Sequence, residues 1–278
     1  MVALFVGALA AAPSASAAGF LFPSMGAAGN FAVFGLYNAS AYTITENGAT
    51  IKGNEGISQN GVITINSPTT VTGSLYQYQA NQYTAPYGAL ATLNSTLMGT
   101  GAGSANGDFT AALGIINTDS CTMCTQGALS AGTTKNGTGL GVNVIDFSSV
   151  TLNGANLTLQ GNSTDYFIVR ISGNLSLAGS ASIVLSGVAA SHVILDVDGS
   201  ISTTGATNQQ LSGYIIAETG TMAFTTGTVI NGELMAKNTI TLASGTTVNG
   251  FTPEPSTLFL IGGALIAIGA GSKRLRKG

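Results

Sequence analysis

Residues 166–187 read YFIVRISGNLSLAGSASIVLSG, and residues 192–213 read HVILDVDGSISTTGATNQQLSG. Laid over each other at an offset of 26, they share a pattern. Phe167, Ile168, Val169 and Ile171 fall on Val193, Ile194, Leu195 and Val197. Gly173, Ser176, Gly179, Leu185, Ser186 and Gly187 fall on Gly199, Ser202, Gly205, Leu211, Ser212 and Gly213. Short alternating runs of branched apolar residues, each closed by Gly, read as strands joined by turns. One such unit cannot bury its apolar side alone, whereas stacked copies bury a continuous core with like residues above like. The fold class predicted here is mainly β, a β-solenoid (β-helix).

The repetition extends in both directions. Residues 220–232 (GTMAFTTGTVING) match 238–250 (NTITLASGTTVNG) at an offset of 18. Gly213-Tyr-Ile-Ile-Ala217 echoes Gly232-Glu-Leu-Met-Ala236, and Thr50-Ile-Lys-Gly53 echoes Thr70-Val-Thr-Gly73. Strand alternation assigns sides. Val169, Ile171, Leu195, Val197, Met222, Phe224, Ile240 and Leu242 point inward. Arg170 and Asp196 point outward on adjacent coils, as do Glu218 and Lys237. Asn174, Ser176, Ser200, Ser202, Thr221, Ala223, Thr239 and Thr241 also point outward, at the same place in successive coils. Of these, the polar side chains are the candidate ice or ligand face, because small hydroxyl-bearing side chains on a flat sheet can order water. A slip of one residue would turn the whole column inward.

One stretch departs from the strand pattern. Tyr83, Tyr87, Leu90, Leu93 and Leu97 recur at roughly helical spacing around Pro86, and glycine is scarce from 89 to 98. The spacing predicts one accompanying α-helix over about 87–98, followed by a loop at 99–107 (GTGAGSANG). Strand coils, one helix, then more coils ending in Gly-x-Ile-Ile-Ala and Thr-Val-Asn-Gly: in this order the chain resembles the bacterial ice-binding-like family of secreted solenoids. The resemblance spans about residues 30–250 and is best from 165 to 250. It implies a right-handed solenoid with a helix packed beside it. It does not settle what the surface binds.

The two ends read as addresses. Residues 2–12 (VALFVGALAAA) are apolar and Ala15-Ser16-Ala17 is a small-x-small cleavage pattern, so 1–17 is read as a signal peptide, although no Lys or Arg precedes the run. That leaves a body at 18–252 and a tail at 253–278. Pro253-Glu254-Pro255 is followed by an apolar run at 258–271, read as a C-terminal hydrophobic helix, and by Lys273, Arg274, Arg276 and Lys277. At 14 positions the run is short for a span, and the basic end should stay cytoplasmic. The tail resembles the PEP-CTERM sorting signal. That resemblance implies a transient inner-membrane anchor, an exosortase-type membrane protease as partner, and a place at the cell surface or in an exopolysaccharide biofilm matrix.

Composition narrows the chemistry. Only 7% of the 278 residues are charged, and the body holds four basic against ten acidic side chains. Nucleic-acid binding needs clustered Lys and Arg, which the body lacks. The single His, His192, falls on Tyr166 in the repeat and reads as a stacked strand-edge residue, so no catalytic base is identified. Cys121 and Cys124 form one Cys-x-x-Cys pair. Without a second pair it reads first as a disulfide, with free thiols, redox or metal use as the alternatives. Asp196 and Asp198 read as a solvated outer face rather than a calcium or glycoside-cleaving site. No cofactor or metal is expected, and no enzymatic activity. The expected role is a structural or adhesive surface or matrix protein. Ice binding through the small polar face is the alternative, and a polysaccharide-degrading β-helix a remote third.

Overall fold

The computed structural model describes residues 22–84, 91–124, 127–139, 141–205 and 208–251. The segments 1–17 and 253–278, read above as addresses, therefore lie wholly outside the described residues. Among the described residues, no helix is long and apolar enough to cross a membrane.

The body is a β-solenoid of parallel strands wound round one core. The repeat offsets become strand register. At 26 residues, Phe167 pairs with Val193, Ile171 with Val197, and Ser176 with Ser202. At 18, Met222 pairs with Ile240 and Asn231 with Asn249. Gly213 pairs with Gly232, and Thr50 with Thr70. All eight inward side chains expected from alternation are buried.

Three faces enclose the core. A front face carries, in spatial order, Gly61–Ser67, Tyr42–Asn47, Ile240–Leu242, Met222–Phe224, Ile201–Thr204, Leu175–Ala178, Ser149–Asn153 and Ala128–Leu129. A helix-bearing face runs Val142–Phe147, Tyr166–Ile171, Val193–Val197, Gln210–Ala217, Val229–Ala236, Phe31–Gly35, Asn54–Ile57, Leu75–Gln77 and Thr92–Leu93. A third face begins with Thr133–Asn136, Leu157–Gln160 and Ile183–Ser186. It continues through the first halves of the two eight-residue strands to Thr247–Asn249 and Thr50–Lys52. Those long strands turn the corner at Gly213 (φ +123°) and Gly232 (φ +153°), a conformation that side chains rarely adopt. A Cβ on Gly213 would stand 2.6 Å from the Val193 carbonyl oxygen of the coil beneath.

Sequence order and stacking order differ. Phe31–Gly35 lies between Val229–Ala236 and Asn54–Ile57, with Val33 opposite both Leu234 and Glu55. The first coil thus docks on the last, and the N-terminal coils extend the stack beyond it. The chain must then travel back to begin the coils at 127. The helix α1 (Ala105–Thr118) makes that journey. Near its start, Asn106 accepts from the Tyr37 N–H at 2.6 Å and donates to Ser58 Oγ at 2.8 Å. At its far end, Arg170 Nη1 donates to the Ile116 and Asp119 carbonyls at 3.1 and 2.8 Å.

This placement corrects the expected helix over 87–98. The described part of that stretch, 91–98, holds the short strand Thr92–Leu93 and turns, and Leu93 is 60% exposed. The helix instead takes in 105–107, the end of the expected loop. Gly107, Gly114 and two threonines lower its intrinsic propensity. It forms because Ser104 caps it, accepting from the Gly107 N–H at 3.2 Å, and because Phe109, Ala112, Leu113 and Ile116 share one buried side. They pack on Val144, Ile168, Ile194, Ile216 and Met235 in a second core outside the solenoid.

Candidate functional site

On the front face, Val150, Leu175, Ile201, Met222, Ile240, Ile44 and Ile63 point into the core. One residue further along each strand, Thr151, Ser176, Ser202, Ala223, Thr241, Thr45 and Thr64 stand in a single outward column. Strands about 4.8 Å apart make this column about 29 Å long. The residues two positions earlier form a neighbouring outward column about 7 Å away. It contains Asn174, Ser200, Thr221 and Thr239, continuing into Thr43 and Val62. No charged side chain points outward from these strands. Glu46 is the one acid they carry, and it faces inward and is fully buried.

The candidate face residues thus share one sheet, but not one role. Asn174 Oδ1 accepts from the Ser200 N–H at 2.8 Å, and Ser200 Oγ accepts from the Thr221 N–H at 3.2 Å. These two side chains are engaged in stacking one coil on the next at the corner. Ser176, Ser202, Thr221, Thr239 and Thr241 lie on the sheet surface, partly or fully exposed. Sequence reasoning missed Thr43, Thr45, Thr64 and Thr151. The signal was present: Thr43-Ile-Thr-Glu46 repeats the pattern of Thr239-Ile-Thr-Leu242, and the two strands pair in register.

Charged residues collect elsewhere, beside the end of α1, around a groove of about 590 Å³. Its lining includes Asp146, Arg170, Asp196, Asp198 and Glu218. Arg170 does face Asp196 in register, yet it bonds Asp146 of the preceding coil, at 2.7 and 2.9 Å. Asp196 is not a solvated outer residue as expected; it is 4% exposed. Burial, then the neighbouring Glu218 and Asp198, push its carboxyl up to about 8. Lys237 lies 4.0 Å from Glu218, the pairing expected from alternation.

His192 stacks on Tyr166 with ring centroids 4.0 Å apart. Cys121 and Cys124 are paired as a disulfide. Beside them, the Thr122 and Met123 N–H groups donate to the Val144 carbonyl at the end of the stack. Among the described residues, the one group bringing three potential metal-ligand atoms together is Cys121, Cys124 and Asp146. Disulfide sulfurs and an arginine-paired carboxylate are poor ligands, so the arrangement serves to close the solenoid end.

Comparison with known proteins bears on the fold. Among solved structures, an ice-binding protein from the Antarctic ascomycete Antarctomyces psychrotrophicus is 24% identical, with a TM-score of 0.61 over 82% of this chain and 98% of its own. One from an Antarctic Flavobacteriaceae bacterium is 25% identical, with a TM-score of 0.61 over 82% of this chain but 47% of its own. One from an Antarctic biological consortium is 21% identical, with a TM-score of 0.60 over 81% and 89%. No curated protein matches the chain. A family model described as ice-binding-like matches residues 38–249, most of the solenoid from the first front-face strand to the last coil, and the chain belongs to that family.

Proposed function

We propose that the protein binds ice through its front face. The observation that carries this reading is the outward column from Thr151 to Thr64, flat, free of charge and built of small hydroxyl and methyl groups. Ice presents no charge and no pocket-filling group. A surface that holds it must set many weak contacts at regular spacing. Parallel strands supply that spacing, and hydroxyls bound to ordered water cost little to hold in place. The ice-binding proteins of similar fold support the choice over a purely adhesive role.

The reading includes export. The apolar start and Ala15-Ser-Ala17 support secretion. The Pro253-Glu254-Pro255 tail supports handling by an exosortase-type protease and a final place at the cell surface or in the matrix. An ice-binding face on a surface-sorted protein would let it act as an adhesin whose ligand is ice, with exopolysaccharide as the competing ligand. No catalytic step is part of the reading.

The test is ice recrystallisation inhibition by the body, residues 18–252. Activity is expected, with loss in the variant Thr45→Tyr/Thr241→Tyr, whose large rings would break the flatness at the centre of the column. Inhibition unchanged in that variant would refute the face. No inhibition by the wild type, with retention on exopolysaccharide, would return the protein to the matrix role.

A further inference from the structure

Glu46 and Glu55 are both fully buried inside the solenoid. Glu46 takes the inward position held by Leu152, Leu177, Phe224 and Leu242 in other coils. Glu55 stands between Val33 and Leu75 in the column of the opposite face. The two side chains reach toward each other across the core, close enough to hydrogen-bond. As carboxylates they offer only acceptors, and none of their four oxygens then has a full partner. One proton placed between them supplies the missing donor.

The surroundings offer no cation to neutralise the pair. The Thr69 hydroxyl lies beside Glu46, and the Tyr83 phenol, with Tyr42 next to it, lies near both acids; no basic group is among them. Both phenols are committed, Tyr42 to the Gly35 carbonyl at 2.8 Å and Tyr83 to the Tyr76 carbonyl at 3.4 Å. Lys52, on the strand between the two acids, is exposed on the outside.

We propose that Glu46 and Glu55 form a proton-held clasp that keeps the coils of residues 42–84 closed, and that these coils open as the solution turns alkaline. Burial first, and each acid's charge on the other, hold Glu55 well above the ordinary carboxylate range, and burial raises Glu46. In the unfolded chain both acids ionise near that ordinary range. The contribution of the pair to stability is therefore full below it and is lost as pH rises toward the folded values. Opening would detach Tyr42–Asn47 and Gly61–Ser67, two of the eight front-face strands.

Hydrogen exchange read by mass spectrometry on the wild-type body between pH 6 and 10, corrected for intrinsic exchange, tests this directly. Protection in 42–84 should fall at least tenfold before protection falls in 149–187, coils that hold no carboxyl raised by burial. The variant Glu46→Gln/Glu55→Gln, whose amides donate without titrating, should keep 42–84 protected through the same range. Equal persistence of the two regions in the wild type overturns the clasp. So does loss of protection in the double variant at the wild-type pH. If the double variant does not fold, the wild-type comparison of the two regions decides alone.

Discussion

The front and helix-bearing faces are built from the same coils, yet they meet opposite fates. On the helix-bearing face the outward column carries Val144, Ile168 and Ile194, which α1 and the N-terminal segment cover. On the front face the corresponding positions carry Thr, Ser and Ala, and nothing among the described residues covers them. Inward, both faces are alike. What differs is the outward residue of each alternating pair, and that residue decides whether a face is a second core or a working surface. The difference also sorts charge. Arg170 and its acids gather where α1 ends and its carbonyls need a donor, whereas the front face has no outward charge at all.

Four experiments would break or sharpen this contrast, and their effects on stability fall in order. Phe109→Ala empties the centre of the second core, where the ring is 1% exposed. It should cost about 3–5 kcal/mol, read as a lowered denaturation midpoint; a cost near zero would show that the helix only rests on the sheet. Alkaline pH should weaken the helix-bearing face next. Burial raises Asp196 to about 8 and Glu233 to about 9. Raised carboxyls contribute fully at acidic pH and lose that contribution as pH climbs through those values. The thermal midpoint should fall over that range, and fall less in Asp196→Asn/Glu233→Gln; an unchanged slope would remove both acids from the account.

Arg170→Ala should cost about 1–3 kcal/mol, through the lost donors to the helix end and to Asp146. The smallest stability effect belongs to the front face. Thr241→Tyr should stay within about 0.5 kcal/mol while lowering inhibition of ice recrystallisation. If it unfolds the protein instead, the front face is a structural surface like the other.

Much of the solenoid was legible because its repeats keep register: Ile171 predicts Val197, and Met222 predicts Ile240. The helix was misplaced because the sequence offers two weakly helical stretches. Leu90, Leu93 and Leu97 have the better composition, but the segment holding Phe109 and Ile116 has a hydrophobic sheet to lie on. Half of the front-face column was legible for the same reason as the coils. Thr45 and Thr64 sit more than 130 residues from Thr241 and Ser202 in sequence, and no offset within the C-terminal coils reaches them.

From sequence alone came the periodicity, the inward residues and the shortage of charge, because alternation and turn chemistry are local properties. Tertiary structure decided the stacking order, with the first coil docked on the last and α1 carrying the chain back between the two ends of the stack. It also decided that Asp196, Glu46 and Glu55 would be buried. A parallel strand can pair with any coil that presents a complementary edge, and a charged side chain takes the environment of whatever packs over it. Neither choice is written in the residues nearby.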